Sequence, residues 1–301
     1  MVGFHDPGGS DLVTQYGAEL GKDFTCIRVY MKPSEWGTVS PEFRQIVAAG
    51  KLAVASHKPP NANDAWANVV RGVYDTEIAA IIEAHKKAAI ETIFMFNHEP
   101  HDECSDLGHD ASRFRGTSYE YRAAFQYIVD RFRTVDARNV RIGYCGTDPG
   151  IFGSPDACYP GDEFVDVLCH DLYNWGDFRS DRDAWTEFDD PTRWPRAVAL
   201  AKAVQKPLVI GEFGCHPSAP THPQNPSHDR NQWFRNAARY LVDDPDASRY
   251  VLGACYFHSP PEKYDFQFLR GPTAPDGKQG WIDGFSRNDY FVSKPLEIKI
   301  G

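Results

Sequence analysis

Apolar residues recur along this chain in two patterns. The first is a set of short unbroken runs: Val2–His5, Phe24–Tyr30, Leu52–Ser56, Ile93–Phe96, Val140–Cys145, Phe164–Cys169, Leu208–Ile210 and Val251–Phe257. Runs of this length without polar alternation are those of strands buried on both faces. The second pattern lies between them at helical spacing. Leu12, Val13, Tyr16 and Leu20 form one stripe, and Phe43, Ile46 and Val47 behind Pro41 form another. Further stripes are Ile78, Ile81, Ile82 and His85; then Tyr121, Phe125, Ile128, Val129 and Phe132. Trp194, Ala197, Val198, Ala201 and Val204 make the next, and Phe234, Ala237, Ala238 and Leu241 the last. Residues 148–164, rich in Gly, Pro and Asp, carry no such stripe. Strands alternating with helices imply a parallel sheet with right-handed crossovers. Eight such strands in 301 residues predict an α/β fold of the (β/α)8 TIM-barrel type. An open doubly wound sheet is disfavoured, because no Gly-rich phosphate loop follows any strand. Neither a repeat nor a linker interrupts the alternation, so residues 1–301 read as a single domain.

Two of these runs end in carboxylates. Ile93–Phe96 runs into Asn97-His98-Glu99-Pro100, and Leu208–Ile210 runs into Gly211-Glu212-Phe213-Gly214. A barrel gathers the carboxyl ends of its strands at one mouth, where ligands bind. Glu99 and Glu212 are therefore expected to face each other across it. A carboxyl pair suits glycoside hydrolysis, in which one group protonates the leaving oxygen and the other attacks the anomeric carbon; roughly 5–5.5 Å between them would mean retention. The neighbouring Glu103 is expected to point into solvent.

The net charge of −10 argues against nucleic acid or an anionic membrane surface as a partner. No run is long and apolar enough to span a bilayer. Trp36, Trp66 and Trp175 fall after the second, third and sixth strands, where their rings would stack on the apolar faces of sugar rings. The acidic loop 101–106 lacks the ligand spacing of a calcium loop and reads as solvated. Seven cysteines form no CxxC pair. Cys26, Cys145, Cys169 and Cys255 lie in strand-like runs and read as buried thiols. Cys104 and Cys158 lie in loops after adjacent strands and are expected to form a disulfide, as a secreted protein with its leader absent from this sequence would allow.

In order along the chain, Phe96-Asn97-His98-Glu99, Val165 to Asn174 with its Asp171-Leu172-Tyr173-Asn174 end, and Ile210-Gly211-Glu212-Phe213-Gly214 resemble motifs of the clan A retaining glycoside hydrolases. The histidine directly before Glu99 is most similar to glycoside hydrolase family 26, the β-mannanase family. The resemblance implies a retaining endo-β-glycosidase cutting a β-1,4-linked polysaccharide, most of all β-mannan, by double displacement. Glu212 would be the nucleophile and Glu99 the acid/base. Tyr173 would lie against the nucleophile, and Arg28 is a second donor that would keep Glu212 ionised. His98 would bind a sugar hydroxyl or orient a glutamate. Asn97, His57, Trp175, Trp36, Trp66 and Phe257 complete the expected saccharide contacts. Phe257 lies in Tyr256-Phe257-His258, where a tryptophan platform is common in the clan. No cofactor and no metal are implied, and the chain is expected to act as a monomer on a polysaccharide or oligosaccharide.

Other readings compete. A β-glucanase or xylanase of the same clan would share the motifs. A metal-dependent barrel hydrolase would use His5, His57, His98 and His170, all near strand ends, although the first strand lacks the His-x-His pair such barrels often carry. A non-catalytic saccharide-binding barrel would have no need of both glutamates.

Overall fold

A computed structural model describes residues 2–5, 10–60, 62–107, 110–147, 157–175, 185–217, 229–258, 266–269 and 276–287, with side chains from Val13 onward. The side chains of His5 and Leu12, and residues 148–156, lie outside that description. The strands are β1 (Val2–His5), β2 (Cys26–Met31), β3 (Leu52–His57), β4 (Thr92–Phe96), β5 (Val140–Gly146), β6 (Val167–Asn174), β7 (Leu208–Cys215) and β8 (Val251–Phe257). They follow one another in sequence order around a closed barrel, the (β/α)8 fold that the alternation predicts. Helices α1 (Ser10–Leu20), α2 (Pro41–Ala48), α3 (Ala65–Val70), α4 (Asp75–Lys86), α5 (Ser118–Thr134), α6 (Trp194–Ala203), α7 (Arg230–Asp243), α8 (Pro245–Tyr250) and α9 (Lys278–Trp281) connect and follow them. The chain divides into two compact units. One comprises residues 1–27, 172–203 and 208–301; the other comprises 28–171 and 204–207.

In the second unit, β3, β4, β5 and the start of β6 pair in parallel register. Phe94 and Phe96 leave β4 on its helix-facing side, where Phe94 meets Phe132 and Phe96 stacks on Tyr121, both of α5. Helix α5 starts at a capping box: the Thr117 hydroxyl accepts from the Glu120 amide, and the Glu120 carboxylate accepts from the Thr117 amide. Its apolar stripe, Tyr121 to Phe132, is buried, as the spacing requires. In the first unit, β1 pairs with β2 on one side and β8 on the other, and β7 pairs with β8. Phe213, Phe234, Tyr256, Phe268 and Trp281 form its aromatic core.

His57 and Trp66 are not where the sequence put them. Strand β3 runs one residue further than predicted, and alternation then turns His57 outward. Its Nε2 meets His85 Nε2 of α4 at 3.0 Å, and His85 Nδ1 meets Thr92 Oγ1 at 2.9 Å, with both rings fully buried. His57 is therefore a core residue and offers nothing to a sugar. Trp66 does not lie in a loop but on α3, wholly buried and edge-on to Tyr121 at 5.1 Å. No sugar ring reaches it.

The histidine pair makes stability depend on pH. Burial pushes His85 down to about 3, and burial followed by the neighbouring His85 holds His57 well below its usual range. Both rings are neutral in the fold but take up protons once unfolded. Their contribution is thus complete above about pH 6.5 and shrinks as pH falls toward the folded-state values. The guanidinium unfolding midpoint should fall between roughly pH 7.5 and 4.5, and fall less steeply in a His57→Phe/His85→Leu variant. Parallel slopes would remove the pair as the cause.

Two thiol pairs come close. Cys104 and Cys158, both buried, stand 3.3 Å apart and unbonded. Cys26 and Cys255 stand 3.4 Å apart. The second pair meets across Gly3, the register partner of both residues. Its Cα atoms are thus two strand spacings, roughly 9.6 Å, apart, too far for a disulfide. Oxidised glutathione should therefore link Cys104 to Cys158 and leave Cys26 and Cys255 alkylatable, as a non-reducing peptide map would show. Closing a loop of that span, 54 residues, is worth about 4 kcal/mol on the loop-entropy estimate. A thermal midpoint unmoved by the bond would contradict a bracing role.

Candidate active site

In the unit of residues 28–171, the end of β4 is bent sharply. Asn97 and Glu99 both adopt left-handed backbone, at φ 45° and 53°. Asn tolerates this region, whereas for Glu it costs roughly 1 kcal/mol or more. Hydrogen bonds hold the bend on both sides: the Asn97 amide donates to the His57 carbonyl of β3 at 2.8 Å, and the Glu99 amide to the Cys145 carbonyl of β5 at 3.0 Å. His98 and Glu99 are partly exposed while Asn97 is buried. Ser56, the inward neighbour of His57, meets His98 Nδ1 at 2.6 Å, and Tyr30 lies edge-on to the same imidazole at 5.1 Å.

Glu103 differs from expectation. It is not a solvent-exposed carboxylate but is 3% exposed. Lys58 Nζ lies 2.8 Å from one of its oxygens, Arg115 Nε donates to the other, and the Asn97 side chain also binds it. Burial pushes its carboxyl up, but Lys58 and Arg115 outweigh that and hold it below the usual carboxylate range. Arg115 goes on to donate to the Pro59 and Pro60 carbonyls at 2.6 and 2.7 Å. Glu103 thus ties the loop after β3 to the loop after β4, beside Asn97.

Arg28 is fully buried in the same unit. Its Nε donates to the Tyr30 hydroxyl at 3.2 Å, and its Nη atoms approach Met95 Sδ, Cys145 Sγ and Asp171. Cys145, Cys169 and Asp171 bring three metal-capable atoms within 4.8 Å of one another. The guanidinium, 3.8 Å from Cys145 Sγ and 3.9 Å from Asp171, already supplies a cation to that cluster. Trp36 is partly exposed, against Phe96 and Tyr74.

In the other unit, Glu212 sits inside β7 and not at its tip, because the strand continues to Cys215. It is 5% exposed, and the Tyr173 hydroxyl donates to its Oε2. Tyr173 belongs to β6, which runs on through Asn174. Asn174 Oδ1 accepts from the Thr186 amide, and the His216 amide donates to the Asn174 carbonyl. Aromatic rings surround Tyr173: Trp175 at 5.2 Å, Phe257 at 6.0 Å, and Phe266 stacked face to face at 4.9 Å. Trp175 and Phe257 are partly exposed. Phe266 escaped the sequence reading; it lies in no periodic segment, and only its contacts with Tyr173 and Trp175 mark it.

The sequence profile of Glycosyl hydrolase family 26 matches residues 54–243, which include Glu99, Tyr173 and Glu212. The chain belongs to glycoside hydrolase family 26. It is 39% identical over 139 residues to a mannan endo-1,4-beta-mannosidase of Bifidobacterium adolescentis, covering 44% of this chain and 14% of that protein. It is 36% identical over 103 residues to endoglucanase H of Acetivibrio thermocellus, covering 32% of this chain and 11% of that protein. The matched stretches are thus small parts of both relatives. Among solved structures, the catalytic domain of the Bacillus sp. JAMB-750 endo-beta-1,4-mannanase superposes with a TM-score of 0.63 at 16% identity, over 96% of this chain and 86% of that one. A beta-mannanase from Bacteroides ovatus gives 0.58 at 18%, over 98% and 86%. At those identities the likeness is one of fold.

Proposed function

We propose that this chain is a retaining endo-β-1,4-mannanase, with Glu212 as nucleophile and Glu99 as acid/base. Within the molecule, the observation that carries this is the Tyr173 hydroxyl on Glu212, in a strand buried on both faces. A carboxylate that must attack needs a donor that orients it. In the first step Glu212 attacks the anomeric carbon while Glu99 protonates the departing sugar oxygen. In the second, Glu99 takes a proton from water, and that water displaces Glu212. The pair should stand roughly 5–5.5 Å apart. Trp175 and Phe257, partly exposed around Tyr173, are suited to stack on sugar rings. His98, held through Nδ1 by Ser56, is suited to bind a sugar hydroxyl or a carboxylate through Nε2. Every group in this mechanism comes from one chain, so a monomer suffices. Action outside the cell fits a polymer too large to enter it.

A β-glucan-cleaving variant of the same chemistry is the second reading, favoured by the endoglucanase H match. A panel of mannan, mixed-linkage glucan and xylan, with the anomer of the first product read by proton NMR, separates the two. Mannan cleaved internally with a β-anomer first supports the proposal. Glucan turnover without mannan turnover selects the second reading, and an α-anomer first overturns retention.

A further inference from the structure

We propose that Gly214 and Phe266 are positioning residues that aim the Tyr173 hydroxyl at Glu212; this rests on the reading of Glu212 as nucleophile. Gly214 lies two residues beyond Glu212 on β7 and so shares its face of the strand. It is not among the glycines with left-handed backbone. Its requirement is space. A Cβ at this position would stand 2.9 Å from Tyr173 Cδ1 and 3.0 Å from Phe266 Cγ. Those two rings are stacked nearly parallel, 7° apart, and fill the gap the missing side chain leaves.

The stack is fixed from behind. Phe266 is fully buried, and its carbonyl accepts the Tyr256 hydroxyl of β8 at 2.7 Å. Two and three residues on, the amides of Phe268 and Leu269 donate to His258 Nε2 at 3.2 and 3.4 Å. Phe266 therefore has little room to yield, and a crowded Tyr173 must be the ring that moves. Restoring ordinary carbon contacts of about 3.5–4.0 Å would shift it by half an ångström or more. The hydroxyl lies at the far end of the ring, so a tilt at Cδ1 is magnified there. A misplacement of that size near a reacting group typically costs up to about 10²-fold in rate.

The test uses a 2-deoxy-2-fluoro glycosyl fluoride of the sugar series the enzyme hydrolyses. Such a reagent traps the first covalent step, and a peptide map locates the label. Wild type should carry it on Glu212. Gly214→Ala should be labelled about 10–100 times more slowly, with kcat lowered and KM within about twofold. Adding Phe266→Ala to Gly214→Ala should restore part of the rate, because the removed ring makes room. In a Tyr173→Phe background, with no hydroxyl to aim, Gly214→Ala should cost less than about twofold. Phe266→Leu removes the stack without adding volume, so it gives a smaller loss of the same kind even if Gly214→Ala does not fold. Label absent from Glu212 in wild type overturns the nucleophile reading and this inference with it. Label on Glu212 with an undiminished rate in Gly214→Ala, or an equal cost of Gly214→Ala with and without the Tyr173 hydroxyl, overturns this inference alone.

Discussion

Glu212→Ala is expected to abolish turnover on every glycoside, by a factor on the order of 10⁴–10⁶. Glu99→Ala is expected to discriminate by leaving group. A nucleophile is needed in both steps, whereas the proton from an acid is needed chiefly when the departing oxygen is a poor leaving group. On a polysaccharide, Glu99→Ala should therefore lose about 10²–10⁴-fold. On an activated aryl glycoside, whose phenolate leaves unaided, the first step should survive and the glycosyl-enzyme should accumulate. Azide should then release it with the configuration retained, as a β-glycosyl azide. In Glu212→Ala, azide enters the vacated space and attacks directly, giving the α-azide. Exchange of the two anomers between the two variants would exchange the two roles. Undiminished rates in both variants would return the histidine-based metal hydrolase to consideration, though without His57, whose ring is committed to His85.

Glu103→Ala is the substitution expected to cost most in stability. It leaves Lys58 and Arg115 facing each other without their shared anion, and both are largely buried, at 15% and 5% side-chain exposure. Breaking a buried ion pair from one side typically costs 3–5 kcal/mol. In a chain of this size that corresponds to a thermal midpoint lower by roughly 5–8 °C. Glu103→Gln keeps the shape and part of the hydrogen bonding and should fall between the two. Glu103 also binds the Asn97 side chain, so Glu103→Ala should lose activity at temperatures where it is still folded. A midpoint within about 1 °C of wild type would mean that Lys58 and Arg115 find other partners.

Strand number and order were legible because strands buried on both faces must be apolar throughout, and the helical stripes separated them cleanly. The strand ends were harder. Strand β6 continues through Asp171 and Asn174, and β7 through Glu212, because the carboxyl end of a barrel interior is polar. There the apolar signal stops while the backbone pairing goes on. His57 shows how much one residue matters. With the strand ending at Ser56, His57 reads as a loop ligand; with the strand one residue longer, parity sends Ser56 inward and His57 to the helix. Trp66 was misplaced because α3, Ala65–Val70, is too short to display a stripe. Glu103 looked like surface because its cations come from Lys58, 45 residues upstream, and Arg115, 12 downstream. Phe266 owes its place to the Tyr256 hydroxyl of β8, which donates to its carbonyl, a contact that no local pattern announces. Glu99 and Glu212 stood out because each follows an apolar run within three residues, and two such carboxylates would meet at one barrel mouth.

The two units also differ in how far apart in sequence each unit's pairings lie. Residues 28–171 form nearly the whole of one unit in a single uninterrupted stretch. They can collapse as soon as they leave the ribosome, since their strand pairings are between near neighbours in sequence. The other unit cannot. Its β1 pairs residues 2–5 with residues 254–257 of β8, so the first strand made waits for the last. The edge of β1 that β8 takes stays unpaired through most of synthesis while β2 can cover the other, and this short strand, with a glycine in the middle, offers little for another chain to pair with.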